Sequence, residues 1–98
     1  MQLPDPFISP VEAASITDPF TVGREIVTFQ IIGTLVAGEE FLFEVEDPAA
    51  VSGWRALVLD SVETKIELGN DQVTFYARAY IRINKTLTTV ACGLRVVT

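Results

Sequence analysis

The sequence predicts an all-β fold: a compact antiparallel β-sandwich or partly open barrel with an extended, proline-rich N-terminal arm. Three observations carry that expectation. From Gln72 to Ile83, apolar Val73, Phe75, Ala77, Ala79, Ile81 and Ile83 alternate with Gln72, Thr74, Tyr76, Arg78, Tyr80 and Arg82. A period of two over that length is a strand with one buried and one wet face, and no helical spacing fits it. Turn-forming pairs and single glycines punctuate the rest of the chain, and Pro4, Pro6, Pro10 and Pro19 interrupt its first stretch. The expected organisation is an arm over residues 1–20 and one β domain over 21–98.

In the arm, proline disfavours both ladders and helices. The exception expected is one helical turn from Ser9 to about Ser15, because Ser9-Pro10-Val11-Glu12 has the form of a capping box with proline at the first helical position. Leu3, Phe7, Ile8, Ile16 and Phe20 make the arm too apolar to stay in water. It either folds back on its own sheet or reaches onto a neighbouring subunit, and Leu3, Phe7, Ile8 and Phe20 are its expected contacts.

The body is expected to begin at Arg24. Val27, Phe29 and Ile31 alternate with Ile26, Thr28, Gln30 and Ile32, and apolar residues on both faces predict a central or covered strand. Gly33 predicts a bulge or bend, and Ala37 to Glu40 a turn. Phe41, Phe43 and Val45 then point inward and Leu42, Glu44 and Glu46 outward. Asp47 to Gly53 reads as a loop with a helical turn capped by Asp47. Trp54 to Leu68 is a long alternating stretch with Trp54, Ala56, Val58, Val62, Ile66 and Leu68 on one side and a bend at Asp60-Ser61.

The last three strands predict a meander. With a hairpin turn at Asn70-Asp71, Leu68 faces Val73 and Ile66 faces Phe75. With another at Asn84-Lys85, Ala77 faces Cys92, Phe75 faces Leu94, and Tyr76 covers Gly93. The strands between Arg24 and Glu46 would lie over its apolar face.

Composition narrows function by exclusion. Apolar residues make up 49% of the 98 residues and charged ones 20%, so the body is globular and some apolar surface is expected to meet a partner. A net charge of −6 with no basic run disfavours nucleic acid and anionic membrane. The opening Met1 to Pro6 has neither a basic nor an apolar run, so no signal peptide is expected. The absence of histidine and the single Cys92 remove His-based triads and zinc ligand sets, and Cys92 falls on the inward face as a core residue. The acidic run Glu39 to Asp47 lacks the ligand spacing of a calcium loop and reads as a solvated strand face and turn. No catalytic, cofactor or metal residue is expected. The candidate interaction surface is the wet face of the Gln72–Ile83 strand, Tyr76, Arg78, Tyr80 and Arg82, because tyrosine and arginine are enriched at interface hot spots. Trp54 either starts a strand in the core or stacks on a sugar.

A proline-punctuated apolar arm from Leu3 to Pro19, a β body from Arg24 and a final strand Leu94-Arg95-Val96-Val97-Thr98 together give the chain a layout that resembles the small structural proteins of bacteriophage virions. These are capsid decoration (cement) proteins or small head and tail subunits. The resemblance is one of architecture over the whole chain. It implies a non-enzymatic homo-oligomer, dimer or trimer, which binds a major capsid or other virion protein. Such a protein resides in the virion after assembly in the host cytoplasm. A small carbohydrate-binding module of phage-tail or adhesin type, using Trp54, Tyr76 and Tyr80, is the alternative from a different class.

Overall fold

Twelve strands and no helix make up the structure, a computed structural model that describes residues 3–23 and 25–97. Met1 and Gln2 of the expected arm, Arg24 at the expected start of the body, and Thr98 lie outside those residues. In chain order the strands are β1 (Ile8–Val11), β2 (Ser15–Ile16), β3 (Phe20–Val22), β4 (Val27–Ile32), β5 (Glu40–Glu46), β6 (Trp54–Ala56), β7 (Val58–Leu59), β8 (Val62–Glu63), β9 (Lys65–Glu67), β10 (Gln72–Phe75), β11 (Ala79–Lys85) and β12 (Cys92–Val97). Every pairing is antiparallel. One sheet has the order β1-β12-β4-β10. The second has the order β2-β11-β5-β6, with β3 added beside β11 and β9 beside β5, and β7 and β8 form a separate ribbon.

The inner faces of the two sheets share one core. Phe29 and Phe75 come from the first sheet and Phe43 from the second, and their ring centroids lie 5.5 to 6.0 Å apart. Ile81 and Ile83 of β11 and Cys92 and Leu94 of β12 are fully buried around them. Aromatic pairs at such separations add about 0.5–1.5 kcal/mol each beyond area burial. The radius of gyration, 12.8 Å, matches the roughly 13 Å of a folded chain of this length. Both sheets are open, so no barrel closes among the described residues. No helix among them is long and apolar enough to cross a membrane.

Residues 3–22 are strapped across the body. β1 pairs with β12, while β2 and β3 pair with β11. The helical turn expected from Ser9 to Ser15 is therefore absent; Ser9 and Pro10 lie in a strand and Glu12 and Ala13 form a bend. Tertiary pairing to β12 overrides the capping-box signal, and Pro10 is tolerated because β1 is an edge strand with a register shift between Ile8 and Val11. The helical turn expected at Asp47–Gly53 is likewise a pair of tight turns, although Asp47 Oδ1 does accept the Ala49 N–H at 3.0 Å.

The expected meander is overturned. The Gln72–Ile83 run buries Phe75, Ile81 and Ile83 as expected, but it breaks at Tyr76–Arg78, where Ala77, expected inward, is exposed, and passes from one sheet to the other. β10 pairs with β4, opposing Val73 to Phe29, and β11 pairs with β5, opposing Ile83 to Phe43. Gly93 faces Ile32, not Tyr76. The tight turn falls at Leu68-Gly69, not Asn70-Asp71, because Gly69 adopts the positive φ (90°) that Glu67 and Asn70 need to exchange backbone bonds. Asn84-Lys85 is not a turn either. Both residues belong to β11, which ends at the buried Lys85, each opposite a residue of β5.

The Trp54–Leu68 stretch folds into three parts. β6 pairs with the C-terminal half of β5 and β9 with its N-terminal half, while β7 and β8 leave between them. Asp60 and Ser61, at φ 52° and 66°, form the two-residue turn at the ribbon's tip, where a bend was expected. Val58, Val62 and Leu68, expected to point inward with Ile66, are exposed as a result.

Candidate functional site

β11 directs Ile81, Ile83 and Lys85 inward and Tyr80, Arg82 and Asn84 to the outer surface of the second sheet. The register then sets Arg82 opposite Glu44 of β5, with Ala56 of β6 beyond, and Trp54 opposite Glu46 in the neighbouring row. Arg82 is held on two sides. Its Nε donates to Glu44 Oε1 at 2.7 Å, and its guanidinium carbon lies 4.7 Å from the centre of the Trp54 ring. Trp54 and Tyr80 are inclined at 38° with centroids 6.2 Å apart. Such a surface can stack and hydrogen-bond. Of its two carboxylates, Glu44 accepts from Arg82 and Glu46 stands exposed opposite Trp54.

Of the four residues expected to share this face, Tyr80 and Arg82 do. Tyr76 and Arg78 instead occupy the corner where the chain changes sheets, and Tyr76 is 77% exposed there. Trp54 sits half-buried against Tyr80 and Arg82 on the outer face. Among the arm residues, Phe20 is in the core, and Leu3, Phe7 and Ile8 pack against it in the same chain. Phe7 lies 4.7 Å from Phe20 and 5.5 Å from Phe29, centroid to centroid.

The ribbon β7–β8 was invisible in the sequence as a site. Leu59 and Val62 are cross-strand partners and are 52% and 65% exposed, with Val58 at 46% on the other side. Its base is firm: the Leu57 N–H bonds to Phe43 O at 2.8 Å, and the Phe43 N–H bonds to Thr64 O at 3.0 Å. Two consecutive positive-φ residues at Asp60-Ser61 were the signal that could have revealed it, but neither is glycine or asparagine, so the expectation stopped at a bend.

Besides Glu44, the charged side chains of Lys85 and Glu39 are buried, and both serve the fold. The Lys85 ammonium donates to the carbonyls of Ala13 (2.8 Å), Thr86 (3.0 Å) and Glu12 (3.3 Å) and to Thr88 Oγ1 (3.3 Å). Burial pushes it below the ordinary lysine value, against the opposing pull of nearby Cys92, Glu39 and Glu12. Glu39 Oε1 accepts the Val36 N–H, and Oε2 accepts the N–H and hydroxyl of Thr89, at 2.7 to 3.0 Å. The Val36 bond first, aided by those from Thr89, holds this carboxyl below its ordinary value. Among the described residues, no group of three or more His, Cys, Asp or Glu side chains is placed to hold a metal ion. An open depression of about 330 Å³ on the first sheet's outer side is lined by Asp5, Pro6, Pro10, Ile32 and Arg95.

No family model, curated protein or solved structure matches the chain.

Proposed function

We propose that this chain is a non-enzymatic structural protein of a virion, of the capsid decoration type. In this reading it folds as a β-sandwich with its N-terminal segment strapped across both sheets, self-associates, and binds a larger protein lattice after assembly in the host cytoplasm. The observation that carries the reading is the β7–β8 ribbon, whose Val58, Leu59 and Val62 are exposed on a projection that nothing among the described residues covers. A two-stranded ribbon is marginal in water on its own, and an exposed apolar projection on a rigid base is what a protein contact would cover. The polar groups inside the fold are spent on its own loops, which favours a contact function over chemistry. The resemblance in layout to small bacteriophage virion proteins supplies the class.

Recovery from purified particles tests this reading. Adjacent capsid or tail genes, and the chain present in a fixed ratio to the major shell protein, support it. Particles that lack the chain overturn it. The carbohydrate-binding reading rests on the Trp54–Tyr80 pair alone, and Arg82 already occupies one face of Trp54. Glycan-array binding lost in Trp54→Ala and Tyr80→Ala variants would favour it instead.

A further inference from the structure

We propose that two copies of this chain associate head to tail, with the β7–β8 ribbon of one seated on the Tyr76–Tyr80 corner of the next. The proposal deepens the self-association in the reading above and rests on it.

The ribbon is a knob with a defined chemistry. Leu59 and Val62 share one face, Asp60 forms the tip, and Glu63 lies beside Val58 on the other face. Backbone bonds from the Leu57 N–H to Phe43 O and from the Phe43 N–H to Thr64 O fix its base, so little freedom is lost when it docks. Its complement is an apolar or aromatic surface that also carries positive charge. A second ribbon is a poor complement, because pairing like with like gathers the Asp60 carboxylates of both copies, while Glu63 is already paired with Lys65 at 3.6 Å.

The cations among the described residues narrow the choice. Arg82 is paired with Glu44, Arg55 with Asp47, and Lys65 with Glu40, Glu63 and Glu67, while Lys85 is buried. Arg78 is exposed and forms no ion pair with an acidic residue among the described ones. Tyr76, 77% exposed, shares its corner, and Tyr80, 50% exposed, follows two residues on near the start of β11. Arg95 is exposed too, but no exposed aromatic residue flanks it in sequence. Tyrosine and arginine are the residues that most often dominate contact energy.

A single copy is not built to satisfy itself. β5 stands between the two features, with β11 along one side and Leu57 and Thr64 along the other. Different patches meeting on successive copies make a heterologous contact, which closes into a ring or runs on as a chain.

Complementation tests the geometry. Sedimentation velocity is run from micromolar to near-millimolar concentration on the full chain, on Leu59→Asp, on Arg78→Glu, and on an equimolar mixture of the two variants. Both sites are exposed, and far-ultraviolet circular dichroism verifies that each variant is folded. The wild type is expected to associate with rising concentration. Each variant alone is expected to associate roughly thirtyfold more weakly, a hot-spot effect. The mixture is expected to recover a dimer and nothing larger, since the Leu59→Asp copy keeps an intact corner and the Arg78→Glu copy an intact ribbon. A monomeric wild type, variants that associate like the wild type, or a mixture that stays monomeric each overturn the proposal. If the chain is nonetheless a stoichiometric component of particles, the structural reading stands and only this contact fails.

Discussion

Arg82 and Glu44 lie opposite each other on adjacent strands, joined at 2.7 Å, and their side chains are only 16% and 10% exposed. That exposure places the pair between two regimes. Solvent-facing ion pairs contribute at most about 1 kcal/mol, whereas removing one partner of a desolvated pair costs about 3–5 kcal/mol. Arg82→Ala is therefore expected to cost about 2–3 kcal/mol, seen as a lower urea midpoint with an unchanged slope. Arg82→Lys should recover only part, because an ammonium cannot stack on Trp54 as a guanidinium does. A midpoint shift worth less than about 0.5 kcal/mol for Arg82→Ala would place the pair among ordinary surface contacts.

The N-terminal segment supplies core. Phe7 packs on Phe20 and Phe29 from the chain's own sheets. Phe7→Ala should cost about 3 kcal/mol, the range for aromatic truncation in a core. Removal of residues 1–19 should give an aggregating or unfolded product. A truncated protein that is soluble and melts like the full chain would contradict this packing.

Glu39 makes acid stability predictable in sign. Its folded-state value lies below the ordinary 4.5, so its contribution is complete above that value and declines as pH falls through the lower, folded one. Glu39→Gln should be less stable than wild type at neutral pH, and the difference should narrow towards strong acid. Stability curves taken at several pH values settle it; a gap that stays constant or widens in acid is the wrong sign.

Lys85 is the complementary case, a cation that gathers three backbone carbonyls. Lys85→Met keeps much of the stem but strands those carbonyls inside the protein. The cost should be about 2–4 kcal/mol. The Glu12–Ala13 segment, held to β11 partly by these bonds, should gain hydrogen exchange before the sheets do. Unchanged exchange there would show that the ammonium is not what fastens it.

In β10 and β11 the side a residue faces was legible and the strand it meets was not, whereas Ala77, Val58, Val62 and Leu68, expected inward, are exposed and Glu44, expected outward, is buried. Phe75, Ile81 and Ile83 are buried as their alternation predicts, although the strand carrying them changes sheets between Phe75 and Ala79. A period of two encodes a face and contains no information about the neighbour. The true partners of β10 and β11 lie more than 35 residues away in the chain, so local turn signals misled. The candidate site shows the same division. Tyr80 and Arg82 point outward as expected, but the Glu44 carboxylate and Trp54 ring that hold Arg82 arrive through the non-local β11–β5–β6 register. The exposed ribbon was hidden for a related reason: Asp60-Ser61 carries the positive φ of a hairpin turn without the residues that usually advertise one.

Gly93 gives the sharpest steric prediction. Ile8 is opposite Leu94 and Val11 is opposite Cys92, so Ser9 and Pro10 bulge together over Gly93. A Cβ there would strike the Ile8 carbonyl oxygen and come within 2.8 Å of Pro10 N and 2.9 Å of the Ser9 carbonyl carbon. All three are backbone atoms, so no side chain can swing aside; β1 itself must lift. Gly93→Ala is thus expected to cost about 2–3 kcal/mol, at the upper end for overpacking, and to open the stretch between Ile8 and Ile16 to limited proteolysis. Gly38→Ala is the control, since its Cβ would meet nothing within 4 Å and only its φ of 88° opposes the change. That variant should lose about 1–2 kcal/mol, the left-handed backbone penalty, with no new cleavage near Ser9. If Gly93→Ala is as stable and as protease-resistant as wild type, β1 does not lie on β12 as described.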